Sequence, residues 1–443
     1  MMRSIDDVKR AVVRAIEARR DEIIAVGEEI WRQPETGFRE VKTAALAAVH
    51  LRRLGLAVRE KLAVTGFRAD LAGARPGPTV ALLGEMDALI LPSHPEADPA
   101  TGAVHACGHN THVTAMLGAA MGLVDAGAAA ELSGRVALVG TPAEESVDMP
   151  YRLSLLQKGL IQSLNGKPQL IREGVFDDVD MAIMNHVGGY IVTDFNGHVK
   201  KLVTFLGRSS HAASPQRGVN ALNAANLALH AIALMRETFA NDDRIRVHGI
   251  ITHGGDATNI VPDHVVLDYM IRADTADKIQ SLSGRFDQAM THSALALGAD
   301  AEVRTFAGSM PLDNDDDLCE LFRQTVLALD PDARPSIKPI FNQGCTDMGD
   351  LSQIMPALHA GVPGCTGTGH GTSFKIADPE LAYVTNAKIL ALMAVDLLYG
   401  EAAAGKALAA KKTAKTPIPE YVSRLDAMTS ALATLDGDRA KPS

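Results

Sequence analysis

Three short apolar runs, TVALLG (79–84), RVALVG (135–140) and DMAIMN (180–185), do most to restrict what this chain can fold into. Each is too brief for a free-standing helix and is bounded by turn residues, as expected of strands covered on both faces. Helical patterns separate them, including 111–125, for which Asn110 is the candidate N-cap. Strands alternating with helices predict an α/β layer fold around a mostly parallel sheet. A fourth apolar run, MPALHAGVPG, and a final helix, DPELAYVTNAKILALMAVDLLYG, continue the pattern. At the N-terminus, Ser4 to about Trp31 reads as one long helix capped by Ser4, and KTAALAAVHLRRLG as a second, ended by Gly55.

Near residue 197 the pattern changes. HVKKLVTFLG alternates as a strand; a helix, two strands around a turn, a second helix and the strand DAEVRTFAG follow. The order β-α-β-β-α-β is that of a ferredoxin-like module. A chain of 443 residues exceeds one compact core. The expected division is a catalytic domain of 1–196 and 311–443 with an inserted domain at 197–310. The tail after about 401, AAAGKALAAKKTAKTP, is Ala/Lys-rich and weakly patterned, either a packed helix or a loose segment. There is no internal repeat.

The strands share a second feature. TVALLG runs into Glu85-Met86-Asp87, RVALVG into Thr141-Pro142-Ala143-Glu144-Glu145, and DMAIMN into His186. Ligands of open α/β sheets bind outside the carboxyl ends of the strands. The stretch AVHACGHNTHVTAML adds Cys107 and His109 just before a helix, and GTGHGTSF adds His370 in a glycine-rich turn. Thiolate, imidazole and carboxylate together suit zinc, manganese, cobalt or nickel and disfavour magnesium or calcium. Of two adjacent glutamates, one can hold a metal while the other moves protons. His105 and His112 in the same stretch read as structural, or as supports behind the ligating groups.

Bulk properties narrow the alternatives. A net charge of −10 offers no basic block for nucleic acid. The four cysteines, 107, 319, 345 and 365, are scattered, so no disulfide framework is indicated and a reducing cytoplasm fits. The charged N-terminus lacks an apolar signal core, and no stretch is expected to reach the roughly 20 apolar residues that span a bilayer.

In order, GEMDAL, HACGHNTHV, GTPAEES, NHVGG, GRSSHAASPQRGVNAL, GGDATNIVPD and GTGHGTSF resemble the M20 metallopeptidase family over about residues 10–400. The similarity is to its amidohydrolases of N-acyl amino acids and its aminobenzoyl-glutamate hydrolases. The resemblance implies a metal-binding α/β domain with an inserted lid that forms a homodimer. It implies metal ligands at Cys107, His109, Glu145, His186 and His370, with Cys107 bridging two ions. It further implies Glu144 as general base, Asp87 as an orienting carboxylate, and His211 as an oxyanion donor reaching a partner subunit. Asn259 and Arg272 fall on positions that contact a substrate carboxylate. The sequence departs from the acyl-amino-acid branch at Asn110 and at Gly344-Cys345-Thr346-Asp347. It departs again in an unusually long stretch from Ser146 to about Leu170.

The expectation is a cytoplasmic, metal-dependent hydrolase that cleaves a carbon–nitrogen bond of a small molecule, using one or two Mn2+ or Zn2+ ions per subunit. Hydrolytic deamination of an activated aromatic amine, as in 5-nitroanthranilate aminohydrolase, is the variant within that class. A non-catalytic metal- or ligand-binding relative is the alternative outside it.

Overall fold

A six-stranded sheet forms the centre of the first of two units, in the spatial order Val58–Leu62, Gly66–Ala72, Ser133–Thr141, Arg75–Glu85, Met181–Val187 and Ala357–Val362. The last four run parallel; the first two are added antiparallel at one edge. Val80, Ala81, Leu82 and Leu83 are fully buried, as a strand covered on both faces requires. Helix His109–Asp125 is buried continuously from His109 to Leu123. A helix apolar on all sides is stable only inside a core. Its close packing depends on Gly122, where a Cβ would lie 2.3 Å from Ile16 Cγ1.

The computed structural model describes residues 2–240 and 242–434. The first unit takes in the chain up to Asp194, then Leu312–Asn342 and Asp347–Tyr421. Of the described residues, the second comprises Phe195–Pro311, Gln343–Thr346 and 422–434. Its elements follow as strand Thr193–Leu206, helix Ala221–Met235, strands Arg246–His253 and His264–Ala273, helix Ala276–Ala296 and strand Asp300–Ala307. The antiparallel sheet is ordered Ser430–Ala433, Asp300–Ala307, Thr193–Leu206, His264–Ala273, Arg246–His253. Val203, Phe205, Leu267, Ile271, Phe286 and Met290 build its core against the two helices.

Four expectations need correction. The N-terminal helix is two, Ile5–Ala18 and Arg20–Arg32, broken at Arg19 (φ −96°, ψ 6°). Ile16 and Ile23 are both buried and two turns apart, so the apolar period continues across the break and hides it. Ser4 does cap the first helix, accepting from Asp7 N–H at 3.2 Å. Next, the helix after the histidine cluster starts at His109 behind a left-handed Gly108 (φ 84°), not after an Asn110 cap. Asn110 lies inside it and donates to Tyr383 Oη at 2.9 Å.

Third, Glu380–Leu398 is by length and composition able to cross a bilayer, contrary to the expectation from the sequence. It begins with a π-helical stretch, Glu380–Thr385, continues as helix Asn386–Leu398, and is mostly buried in the protein. Fourth, the C-terminal segment divides. Helix Ala403–Lys411 packs with Leu408 buried, whereas Ser430–Ala433 pairs with Asp300–Ala307. The chain from Val422 thus joins the second unit, covering a sheet edge that would otherwise offer unpaired backbone groups.

Candidate metal centre

The carboxyl ends of three parallel strands and one helix start converge in the first unit. Strand Arg75–Glu85 ends on Glu85 and places Asp87 two residues on; strand Ser133–Thr141 leads through Pro142 and Ala143 to Glu144 and Glu145. His186 stands within strand Met181–Val187 rather than after it. His370 sits in the turn joining the paired strands Cys365–Thr366 and Lys375–Ile376, with φ 59° and its N–H on Ala106 O at 2.9 Å.

Asp87 organises two of these segments. Its Oδ2 accepts the Glu145 N–H at 2.8 Å, while its Oδ1 and backbone oxygen lie 3.1 and 2.9 Å from His109 Nδ1. His109 Nδ1 is thereby engaged, and Nε2 is buried and turned inward toward the Glu85 carboxylate, 3.2 Å away. Glu145 Oε1 is likewise buried and turned inward. Cys107 Sγ lies 3.5 Å from His186 Nε2 and 3.3 Å from His370 Nε2, and Glu145 Oε1 is 3.1 Å from His370 Nε2.

Among five donor triads of the described residues are Cys107–His109–His186 and Cys107–Glu145–His370, each with its ligand atoms within 4.8 Å of one another. These two share the thiol. Glu144 groups with His109 and Glu145 under the same limit. Buried, convergent imidazole, thiol and carboxylate groups with a shared soft ligand fit a divalent transition metal, with room for two. The clustered groups act strongly on one another. Burial and the Glu145 charge push the Cys107 thiol up, but His109 and His186 bring it down to about 6. Contacts with Cys107 and Glu145 raise His370 to about 11. Burial, then Glu85, Glu145 and Asp347, hold Glu144 well above the usual carboxylate range.

Four participants escaped the sequence pattern. Glu85 Oε2 is 3.2 Å from His109 Nε2 and 3.1 Å from His112 Nδ1, so His112 belongs to the cluster. Glu85 Oε1 is 2.5 Å from Lys167 Nζ, which also meets Asp347 Oδ1; all three side chains are buried. Glu85 and Asp347 stood in quoted motifs and could have been found. Lys167, in NGKPQ, gave no signal. His211, Asn259 and Arg272 lie in the second unit. The Ala212 N–H donates to Asn259 O at 2.9 Å, placing His211 and Asn259 on neighbouring segments, both exposed. Arg272 stands apart on strand His264–Ala273 with its Nε 3.0 Å from Met270 Sδ.

The profile of Peptidase family M20/M25/M40 matches residues 81–395. Mouse Xaa-Arg dipeptidase is 29% identical over 423 residues, covering 88% of this chain and 89% of that one. A p-aminobenzoyl-glutamate hydrolase polypeptide of Escherichia coli is 30% identical over 313 residues, 68% of this chain and 61% of that one. Among solved structures, a dinuclear metal-binding M20 peptidase of Bacillus subtilis superposes with a TM-score of 0.64 at 20% identity, covering 86% of this chain and 99% of that one.

Proposed function

The chain belongs to the M20/M25/M40 peptidase family, and from that premise we propose that it is a divalent-metal hydrolase of the amide bond in N-acyl or aromatic amino acids. The observation that carries this reading is the sharing of Cys107 between two donor triads with Glu144 beside them. In it, Cys107, His109 and His186 would hold one divalent cation, Mn2+ or Zn2+, and Cys107, Glu145 and His370 would hold a second. A cation held there supplies Lewis acidity at the scissile carbonyl. Glu144, beside His109 and Glu145, takes the proton of the attacking water and returns it to the leaving nitrogen. Asp87 keeps His109 in the tautomer that leaves Nε2 free for the metal.

The second unit is read as a ferredoxin-like lid through which two copies pair. Its order of four strands, Asp300–Ala307, Thr193–Leu206, His264–Ala273, Arg246–His253, agrees with that. Arg246–His253 is an edge strand exposing Ile250 (59%) and Ile251 (45%), a surface open to strand addition. His211 is assigned to the oxyanion of a partner copy, and Asn259 and Arg272 to a substrate carboxylate. The reducing cytoplasm is the proposed location, in keeping with four free cysteines.

Replacing Glu144 tests the proposal. Glu144→Ala should retain metal and lose about 10²–10⁴ in turnover; unchanged turnover removes Glu144 from the mechanism. Following both amine and ammonia release separates amide cleavage from deamination of an aromatic amine. Mixed His211→Ala and Glu144→Ala dimers should regain activity, and confirmed hetero-dimers without it overturn the shared site.

A further inference from the structure

The segment between Glu145 and Lys167 folds back on the two glutamates. Helix Met149–Gln157 carries Arg152, which is fully buried. One Nη of its guanidinium donates to Glu145 O; the other donates to Leu164 O and, at 3.4 Å, to Ala143 O. Asn165, at the far end of the segment, donates from Nδ2 to Glu144 O at 2.7 Å. Glu40 Oε1 accepts the Ala143 N–H at 2.8 Å, and Asp87 the Glu145 N–H at 2.8 Å. Five backbone groups of the Ala143–Glu145 turn are therefore held by four buried or half-buried side chains.

That turn needs holding. Ala143 has φ 54°, a left-handed conformation that a residue with a Cβ adopts only when its surroundings impose it. Space for the guanidinium is built in as well. A Cβ on Gly37 would lie 2.5 Å from Arg152 Nη2, and the guanidinium faces the Phe38 ring at 5.5 Å. Asp87, Glu40, Glu145 and Glu144 all act on it electrostatically. The planar fork reaches three carbonyls from two nitrogens fixed in one plane, whereas a lysine offers a single ammonium point.

We propose that Arg152 is a positioning residue for this reaction: its buried fork, with Asn165, holds the strained Ala143–Glu145 turn so that Glu145 meets the metal and Glu144 the water. The proposal deepens the functional reading above and rests on it for the word reaction, but its geometry concerns the donor set alone. Arg152 touches no substrate; it acts through the backbone of the glutamates. Residues 146–166 are then part of the apparatus that aims the base.

The test uses the full chain carrying Arg152→Lys, which keeps the charge, and Arg152→Met, which keeps the bulk. Asn165→Ala removes a single donor should either fail to fold, and Lys158→Ala, on the exposed end of the same helix, is the control. Two readouts are taken: kcat and KM, and Zn2+ affinity by chelator competition, which needs no substrate. Supporting groups of this kind are worth about 10–100-fold in affinity or activity. Arg152→Lys should lose about that factor in kcat with KM within about threefold, and bind Zn2+ about tenfold or more weakly. Asn165→Ala should lose less, and Lys158→Ala nothing. If Arg152→Lys and Asn165→Ala both keep wild-type kcat and Zn2+ affinity, the proposal is overturned. If wild type turns over no amide, the functional reading fails by itself, and Zn2+ affinity still decides the role of Arg152.

Discussion

Lys167→Met would remove the cation that two buried carboxylates depend on. Its Nζ is 2.5 Å from Glu85 Oε1 and in contact with Asp347 Oδ1, and its backbone N–H donates to Asp347 Oδ2 at 2.9 Å. Lys167, Glu85 and Asp347 are 0%, 1% and 0% exposed, so water cannot replace the ammonium. Breaking a buried ion pair on one side costs about 3–5 kcal/mol. At roughly 2 °C per kcal/mol for a unit of this size, the melting temperature should fall by about 6–10 °C.

The deficit has a pH signature. Burial already raises Asp347 to about 6 against the pull of Lys167, and without the ammonium it rises further. A carboxyl raised in the fold binds its proton more tightly native than unfolded. Its protonation therefore adds stability as pH falls from the folded value toward the unfolded one, about 3.9. The loss in Lys167→Met should be larger at pH 8 than at pH 5. Thermal unfolding of metal-free protein at pH 5, 6, 7 and 8 measures it, and Lys167→Met with Asp347→Asn should recover part of the loss. A melting temperature within about 2 °C of wild type at pH 8, or a deficit no smaller at pH 5, would refute the reasoning.

Chelation should abolish turnover and lower the melting temperature, with both restored by Mn2+ or Zn2+; a ligand at a hundredfold its Kd stabilises by about 2.7 kcal/mol. Gly122→Ala would set a Cβ 2.3 Å from Ile16 Cγ1, so denaturant unfolding should show a loss of about 1–3 kcal/mol. Leu432→Pro, opposite Val303, removes a ladder donor from the added edge strand. Hydrogen exchange should then quicken in Asp300–Ala307 with the first unit unchanged.

The sequence by itself determined the layer plan and most of the donor set. Buried strands must be short, apolar and bounded by turns, and ligand-bearing residues follow their carboxyl ends, so Asp87, Glu144, Glu145 and His186 could be placed from local pattern alone. Cys107, His109 and His370 were legible as a crowd of ligating types beside turns. What tertiary structure decided lay beyond local signals. The break at Arg19 leaves the apolar period intact, and the helix starts at Gly108 because a left-handed glycine turns the chain there. The pairing of Ser430–Ala433 satisfies a sheet edge more than a hundred residues away. Arg152 and Lys167 carried no signal in the sequence, because nothing local tells a lysine or arginine that it is buried. Only folding, by enclosing several carboxylates and a strained turn in one dry space, makes those two cations necessary.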